Sequence, residues 1–339
     1  MDSLKNGLWN TDFSHIYVEK RAADHPRTKR ILSRFKNSRL IEIDHYKDIF
    51  CRSRQSFVLQ KHSPKLILAI KEGNLVYKGA RVCQDFGNHY FYYTSSVMNC
   101  HYNCEYCYLQ GMYSSANIVV FVNLEDIFFE VEKLLAGHPV YLCISYDTDL
   151  LALEGITGFV SSWLKFASRN DSLIIELRTK SANFNAIKDI PPLDNVILAW
   201  TLSPTEIIKT YEQGTPSLEA RLDSIKKAVD KGWKVRLCFD PMVFTKDWKR
   251  QYGTCVRKVF EEISTESIHD ISLGVFRISK DYLKRIYRDR PKSLVFAYPF
   301  EEAEGVCTYS PAHTKEMTDF LYTEIGRYIP EDKIYRQNI

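Results

Sequence analysis

No stretch of this 339-residue sequence stays apolar over the ~18 residues that a membrane-crossing helix requires, so nothing in it reads as a transmembrane span. The opening residues, MDSLKNGLWNTDF, lack the basic-then-apolar order of a secretory signal, and the expectation is a cytoplasmic protein. Repeats and low-complexity segments are missing as well. No sign of charge dominates: the formal balance is +4, too mild by itself to mark a polyanion-binding protein. Basic residues do crowd two places, Lys20 to Arg39 and Lys280 to Lys292, where they could neutralise phosphates or line a solvated helix face. In a reducing compartment the nine cysteines read as ligands, radical carriers or buried small hydrophobes rather than disulfides.

What the chain does contain is the run Cys100-His101-Tyr102-Asn103-Cys104-Glu105-Tyr106-Cys107-Tyr108, with cysteines spaced Cys-x-x-x-Cys-x-x-Cys. Three thiolates so spaced can ligate three irons of a four-iron four-sulfur cluster and leave the fourth without a protein ligand. Structural cluster and zinc sites usually complete their coordination sphere, so an open iron implies a guest. The spacing resembles that of radical SAM enzymes, in which S-adenosylmethionine chelates the open iron and one electron releases a 5′-deoxyadenosyl radical. The competing assignment is a zinc knot of Cys100, Cys104, Cys107 and His101. Adjacent backbone positions make Cys100 and His101 awkward partners for one ion. No further Cys-x-x-Cys or His-x-x-x-His pair supplies the missing half of a zinc site.

With 45% hydrophobic residues the chain can bury a large core. An aromatic, apolar run at 89–93 precedes the cysteines. Asn123 and Gly137 bracket a helix in which Ile127, Phe128, Val131, Leu134 and Leu135 follow helical spacing. Further strands are predicted at 140–144, 173–177, 196–201, 235–239 and 271–276, with helices at 156–166, 182–188, 217–231, 247–263 and 280–288. Six βα units in series imply a parallel sheet with helices outside. Six are too few to close an eight-fold barrel, so the expected fold is α/β, a partial (β/α)6 barrel over 86–292. Residues 1–85 read as a smaller N-terminal segment, and 293–339 as a flap or hairpin at 294–311 followed by a helix near 314–328. Active sites of such barrels lie at the C-terminal strand ends, which puts the cysteine loop at the mouth.

Several stretches resemble the spore photoproduct lyase family, radical SAM enzymes that repair DNA in spore-forming bacteria. They are Tyr17-Val18-Glu19-Lys20-Arg21-Ala22, the loop CHYNCEYCYLQ at 100–110, Phe121-Val122-Asn123-Leu124-Glu125-Asp126-Ile127-Phe128, Thr179-Lys180, YEQGTPSLEAR at 211–221 and GVFRISK at 274–280. The Tyr-Cys-Tyr-Leu-Gln ending is far more specific than the cysteines, whereas the C-terminal flap departs from the family pattern. The resemblance implies a radical SAM barrel with one 4Fe-4S cluster and S-adenosylmethionine, acting as a monomer in the spore core with an unidentified reductant. Its partner would be double-stranded DNA containing a thymine photodimer, the methylene-bridged spore photoproduct. In that family the deoxyadenosyl radical takes a hydrogen from the ring carbon beside the bridge, the bridge fragments, and a cysteine returns a hydrogen. The thiyl is reduced through nearby tyrosines, and S-adenosylmethionine is rebuilt. A radical SAM enzyme acting on RNA, a peptide or a metabolite is the alternative in another substrate class.

By the resemblance, Tyr106 and Tyr108 are redox tyrosines, although in a chain with 21 tyrosines plain aromatic packing would also place them there. Alternation along 140–144 turns Tyr141, Cys143 and Ser145 inward and Val140, Leu142 and Ile144 towards the helices, making Cys143 a candidate hydrogen donor. The family's donor is followed closely by an acidic pattern, and matching it to Asp147-Thr148-Asp149 puts Tyr146 at that position. Cys83 is then the rival thiol; a buried, inert thiol is the plain alternative for both. Ser145, Asp149, Lys180, Thr201 and Ser203 are cofactor-binding candidates because the family places such contacts at these strand ends. Lys180 suits the carboxylate of S-adenosylmethionine and Asp149 its amine or ribose, against a solvated lysine and a helix cap. A crosslinked pair must leave the duplex stack to enter a barrel mouth, which calls for phosphate-binding cations and an apolar wedge. Arg277 and Lys280 are the cation candidates. Phe296, Tyr298 and Phe300, which alternate if that segment is extended, are the wedge candidates, with ordinary packing as the other explanation.

Overall fold

In the computed structural model, which describes residues 13–80 and 83–337, the predicted apolar segments become six parallel strands in chain order. They are β1 (Phe91–Thr94), β2 (Val140–Cys143), β3 (Leu173–Thr179), β4 (Val196–Thr201), β5 (Lys234–Met242) and β6 (Ile268–Val275). Val76–Lys78 adds antiparallel to β1 and Ile334–Arg336 parallel to β6, so the hydrogen-bonded sheet ends on two different edges as an open barrel. Of the N-terminal residues read for a leader, 1–13, all but Phe13 lie outside the described residues. β2 and β4 are buried along their whole length, as parallel strands covered on both faces must be. The outer cover comes from Leu124–Leu135, Phe159–Ala167, Leu218–Asp230 and Trp248–Glu262, which bury Val131, Trp163, Ile225 and Val256.

Three local expectations are corrected. The helix predicted at 182–188 shrinks to a 3-10 turn, Phe184–Ala186, because Pro191 and Pro192 follow too closely for the extra turns that offset nucleation. The helix predicted at 156–166 divides at Gly158, whose φ of +63° is costly for most residues with a β-carbon, into Glu154–Thr157 and Phe159–Ala167. The segment 294–300 forms turns rather than an extended strand, and Phe296 is buried against Phe276. A hairpin does follow, Glu301–Ala303 with Val306–Thr308, and then the helix Pro311–Gly326 capped by Ser310.

A second sheet runs Arg39–Ile43, His15–Glu19, Leu66–Ala69 and Ile118–Phe121, all parallel, with Val97–Met98 antiparallel at its edge. Val97–Met98 follows β1 directly. The chain therefore steps from the barrel onto this sheet before it makes the cysteine loop, and comes back to the same sheet at Ile118. Neighbouring strands grip both ends of the loop.

Inside the barrel lies one charged layer. Arg236 on β5 donates to both oxygens of Asp270 on β6, to Glu176 on β3 at 2.5 Å and to the Tyr141 hydroxyl on β2 at 2.6 Å. That hydroxyl donates in turn to Glu176 at 2.6 Å, and all four side chains are buried. Removing one partner from such a set leaves uncompensated buried charge, which costs far more than losing the whole set. Arg236→Ala is therefore expected to destabilise the fold by about 3–5 kcal/mol, read from the urea midpoint. A loss below about 1 kcal/mol would mean that the strands hold together without the layer.

Candidate active site

The cysteine loop is fixed because its polar groups are tied from several sides. Asn99 opens it with a φ of +67°, which asparagine tolerates, and its side-chain amide donates to the carbonyls of Ser115 at 2.7 Å and Asn117 at 2.8 Å. The Lys61 ammonium donates to the carbonyls of Cys100 and, at 2.8 Å, of Tyr102. Asn103–Cys104 pairs antiparallel with Glu212–Gln213. Arg290 donates to Asn103 at 2.7 Å and to Gln110 at 2.6 Å, and Arg285 to the Gly111 carbonyl at 3.2 Å. A β-carbon at Gly111 would sit 2.6 Å from the Tyr282 carbonyl oxygen, so only glycine lets the helix Lys280–Asp289 lie on the loop. Arg285 and Arg290 thus leave the C-terminal basic cluster to become loop clamps. In the N-terminal cluster, Lys20 pairs with Asp44, Arg21 with Glu72, Arg27 with Glu125 and Lys29 with Asp24, so much of its charge is spent within the scaffold.

Cys100, Cys104 and Cys107 meet on one wall of a cavity of about 580 Å³ at the C-terminal strand ends. Among the described residues, no three His, Cys, Asp or Glu side chains converge as a single metal ion requires. The His101 ring packs on Tyr102, 3.9 Å between centroids, and does not line the cavity. The position of the His101 ring outside the cavity counts against a zinc knot that includes it. Three separate thiols facing one space suit a cluster in which each sulfur meets its own iron. Burial pushes the Cys100 thiol up to about 12, with Asp149 adding to the rise and Lys61 opposing it, so loading must displace thiol protons.

Of the cofactor candidates, Ser145, Asp149, Lys180 and Thr201 line this cavity. Ser203 does not: its hydroxyl donates to the buried Glu212 at 2.8 Å. Asp149 accepts from Thr179 Oγ1 and the Lys180 N–H, each at 2.7 Å, and from the Ala152 N–H at 3.0 Å, while burial still raises its pKa. Ser145 accepts the Arg178 N–H at 2.8 Å. The Lys180 ammonium lies 5.5 Å from the centre of the Tyr106 ring, and its charge favours the thiolates of Cys104 and Cys107. Sequence reading missed Asp240 and Arg178. Arg277 donates to Asp240 at 2.7 and 3.2 Å, and Arg178 stands 3.5 Å from the same carboxylate. Tyr298 is placed away from the cavity, packed against Phe244, Tyr309 and His313. The alternating face expected of Phe296, Tyr298 and Phe300 is not present, because the segment turns and these rings pack against Phe276, Phe244, Tyr309 and His313.

Alternation along β2 orients its side chains as predicted: Tyr141, Cys143 and Ser145 line the cavity, and Val140, Leu142 and Ile144 join the core. Cys83 lines the cavity too, its sulfur 3.6 Å from the Tyr146 hydroxyl. Tyr146 stacks on Tyr93 with 4.0 Å between centroids, and its carbonyl accepts from the Tyr108 hydroxyl at 2.6 Å. Tyr106 belongs to another network, donating to Glu212, which is paired with the buried Arg221. Burial opposes the Glu212 charge, but Arg221 and Lys180 outweigh it and hold the carboxyl at about 2. A carboxyl depressed on folding stabilises the protein above its ordinary pKa of 4.5 and loses that contribution as pH falls through about 2. Glu212→Gln should flatten the acid loss of stability across this window, followed by circular dichroism; an unchanged slope would exclude the pair as the titrating element. Arg290→Ala, which frees Asn103 and Gln110, is expected to speed iron loss from the loaded protein with little change in melting temperature. Wild-type iron retention would mean that the clamp is dispensable.

An open parallel barrel with a three-cysteine loop at its mouth defines a radical SAM enzyme. A profile of the family described as spore photoproduct lyase matches residues 12–335. The spore photoproduct lyase of Clostridium acetobutylicum is 23% identical over 265 residues, 76% of each chain. That of Bacillus subtilis is 19% identical over 288 residues, 82% of each chain. In structure, the chain is similar to a substituted spore photoproduct lyase with bound AdoMet and dinucleoside spore photoproduct, with a TM-score of 0.82, 19% identity, and coverage of 96% of this chain and 98% of that one. A spore photoproduct lyase complexed with dinucleoside spore photoproduct gives a TM-score of 0.81 at the same identity and coverage. The chain belongs to the spore photoproduct lyase family.

Proposed function

We infer that this chain is a carbon–carbon lyase that reverses the spore photoproduct in double-stranded DNA to two thymines. The observation that carries this reading is the meeting, in one cavity, of the three-cysteine loop with a separate thiol in contact with a tyrosine. When bound, a four-iron four-sulfur cluster on Cys100, Cys104 and Cys107 and S-adenosylmethionine supply a 5′-deoxyadenosyl radical that can take a hydrogen from the dimer. With S-adenosylmethionine bound, Lys180 would hold its carboxylate, and Asp149, Ser145 and Thr201, which line the same cavity, would serve its amine and ribose. Arg277, oriented by Asp240, faces the lesion, while the aromatic walls formed by Tyr93, Tyr146 and Phe276 keep water out.

The thymine radical left after bridge cleavage needs a hydrogen atom from the protein. Cys83 fits that role better than Cys143. The Cys143 thiol is buried, which raises its pKa, and the Ser145 N–H points at its sulfur. Cys83 is only half-buried and has a phenol at hydrogen-bonding distance. Tyr108, hydrogen-bonded to the Tyr146 backbone, lies next on the way to the loop. The proposed setting is a monomer in the cytoplasm of the spore core, fed by a one-electron reductant. No helix among the described residues is long and apolar enough to cross a membrane.

The test is anaerobic incubation of the iron-loaded chain with dithionite, S-adenosylmethionine and the dinucleotide lesion. Thymine products together with 5′-deoxyadenosine are expected. Cleavage of S-adenosylmethionine with the lesion untouched would move the substrate to RNA, a peptide or a metabolite. In the same assay Cys83→Ala should divert the thymine radical into adduct by-products, whereas Cys143→Ala should repair cleanly. The reverse pattern would make Cys143 the donor.

A further inference from the structure

We propose that Tyr146 is the hydrogen-atom relay of Cys83, the residue that returns the thiyl to a thiol after each repair. This rests on Cys83 as the donor. The Tyr146 hydroxyl is the side-chain partner of the Cys83 sulfur, at 3.6 Å, within the range of a sulfur hydrogen bond. Both residues line the substrate cavity, and the ring and the backbone of Tyr146 are each engaged by another tyrosine. Its ring is stacked on Tyr93 at 4.0 Å, tilted by only 25°, and its backbone carbonyl anchors the Tyr108 hydroxyl at 2.6 Å. The phenol cannot swing away from the sulfur without breaking that stack.

The step balances within the protein. Once Cys83 has given its hydrogen to the thymine radical, the sulfur carries the unpaired electron. The O–H bond of Tyr146 breaks and an S–H bond forms on Cys83, so one hydrogen atom moves and a phenoxyl radical remains on Tyr146. Phenol O–H and thiol S–H bonds are of similar strength, so the exchange runs without a large driving force. The Tyr108 ring lies 6.1 Å from that of Tyr146. A second exchange of the same net form passes the radical to Tyr108, on the cluster loop. Tyr106, by contrast, donates to Glu212 within a buried ion pair, and no contact joins it to Cys83 among the described residues. The sulfur-to-loop connection therefore runs through a residue outside the cysteine motif. Among the described side-chain hydrogen bonds, a tyrosine stands at the sulfur of Cys83 and none at that of Cys143.

The variant that tests this is Tyr146→Phe in the full-length, iron-loaded enzyme, which keeps the ring on Tyr93 and removes only the transferable hydrogen. The first repair should remain free of by-products, because Cys83 still supplies its hydrogen. Recycling of S-adenosylmethionine should be lost, so that 5′-deoxyadenosine accumulates with every dimer repaired. Unchanged recycling would overturn the relay. By-products like those of Cys83→Ala would also overturn it, by making Tyr146 part of the donor itself. Clean repair by Cys83→Ala, on the other hand, would sink the donor assignment and leave this variant's result distinguishable from it. An independent measurement uses the metal-free protein. The S–H infrared band that vanishes in Cys83→Ala should shift in Tyr146→Phe, and a band that stays in place would show that the phenol does not hold the thiol. Freeze-quenched enzyme with 2,3-difluorotyrosine at position 146 should give a fluorine-split radical signal; a radical without that splitting would place the electron elsewhere.

Discussion

Three sulfurs can face one cavity only if the backbone that carries them is satisfied somewhere else, and this constraint organises the molecule. Ordering a loop costs roughly 1–2 kcal/mol per residue in backbone entropy. Here the ties come from distant elements: Lys61 from the N-terminal segment, Glu212–Gln213 from the barrel, Arg290 from the end of the helix Lys280–Asp289, and Asn99 from the loop's own base. The loop is thus held by both sheets and by the C-terminal helix together. Disturbing any one of them reaches the backbone of Cys100, Cys104 and Cys107 without replacing a cysteine.

Charge is kept at the edges of the cavity and reactive side chains in its middle. Below lies the Arg236 layer with Glu176 and Asp270; to one side, Asp240 balances Arg178 and Arg277. Each of these three carboxylates has a guanidinium beside it, as buried charge demands. Between these paired groups the wall includes the thiols of Cys83 and Cys143 and the phenols of Tyr93, Tyr108 and Tyr146, side chains able to give up a hydrogen atom. A space with paired charges and aromatic walls protects a carbon radical from water and from stray acid–base chemistry.

The legible part of the sequence was whatever repeats locally. Cysteine spacing identified the loop, apolar runs separated by helical patterns gave the six strands in order, and strict alternation along β2 oriented Cys143 and Ser145 correctly. Contacts between residues far apart in sequence were not legible. Cys83 and Tyr146 are separated by 63 residues and Arg277 and Asp240 by 37, and neither pair has a local signature. The basic clusters misled because charge density says nothing of partners; folding gave many of those cations an acid or a carbonyl within the protein. The aromatic run at 294–300 misled for a related reason. Alternation describes an edge strand only when nothing apolar lies nearby, and here the C-terminal helix and Phe276 do. Gly158 was a signal in plain view that the helical reading of 156–166 passed over.

The cluster with an open coordination position underlies everything said of this site, and electron paramagnetic resonance of the reduced, anaerobically reconstituted protein reads it directly. Adding S-adenosylmethionine should change the g-values of a 4Fe-4S signal, as expected when the amino acid takes the iron that the three cysteines leave open. A spectrum indifferent to S-adenosylmethionine, or a protein that binds zinc and assembles no cluster, would contradict it.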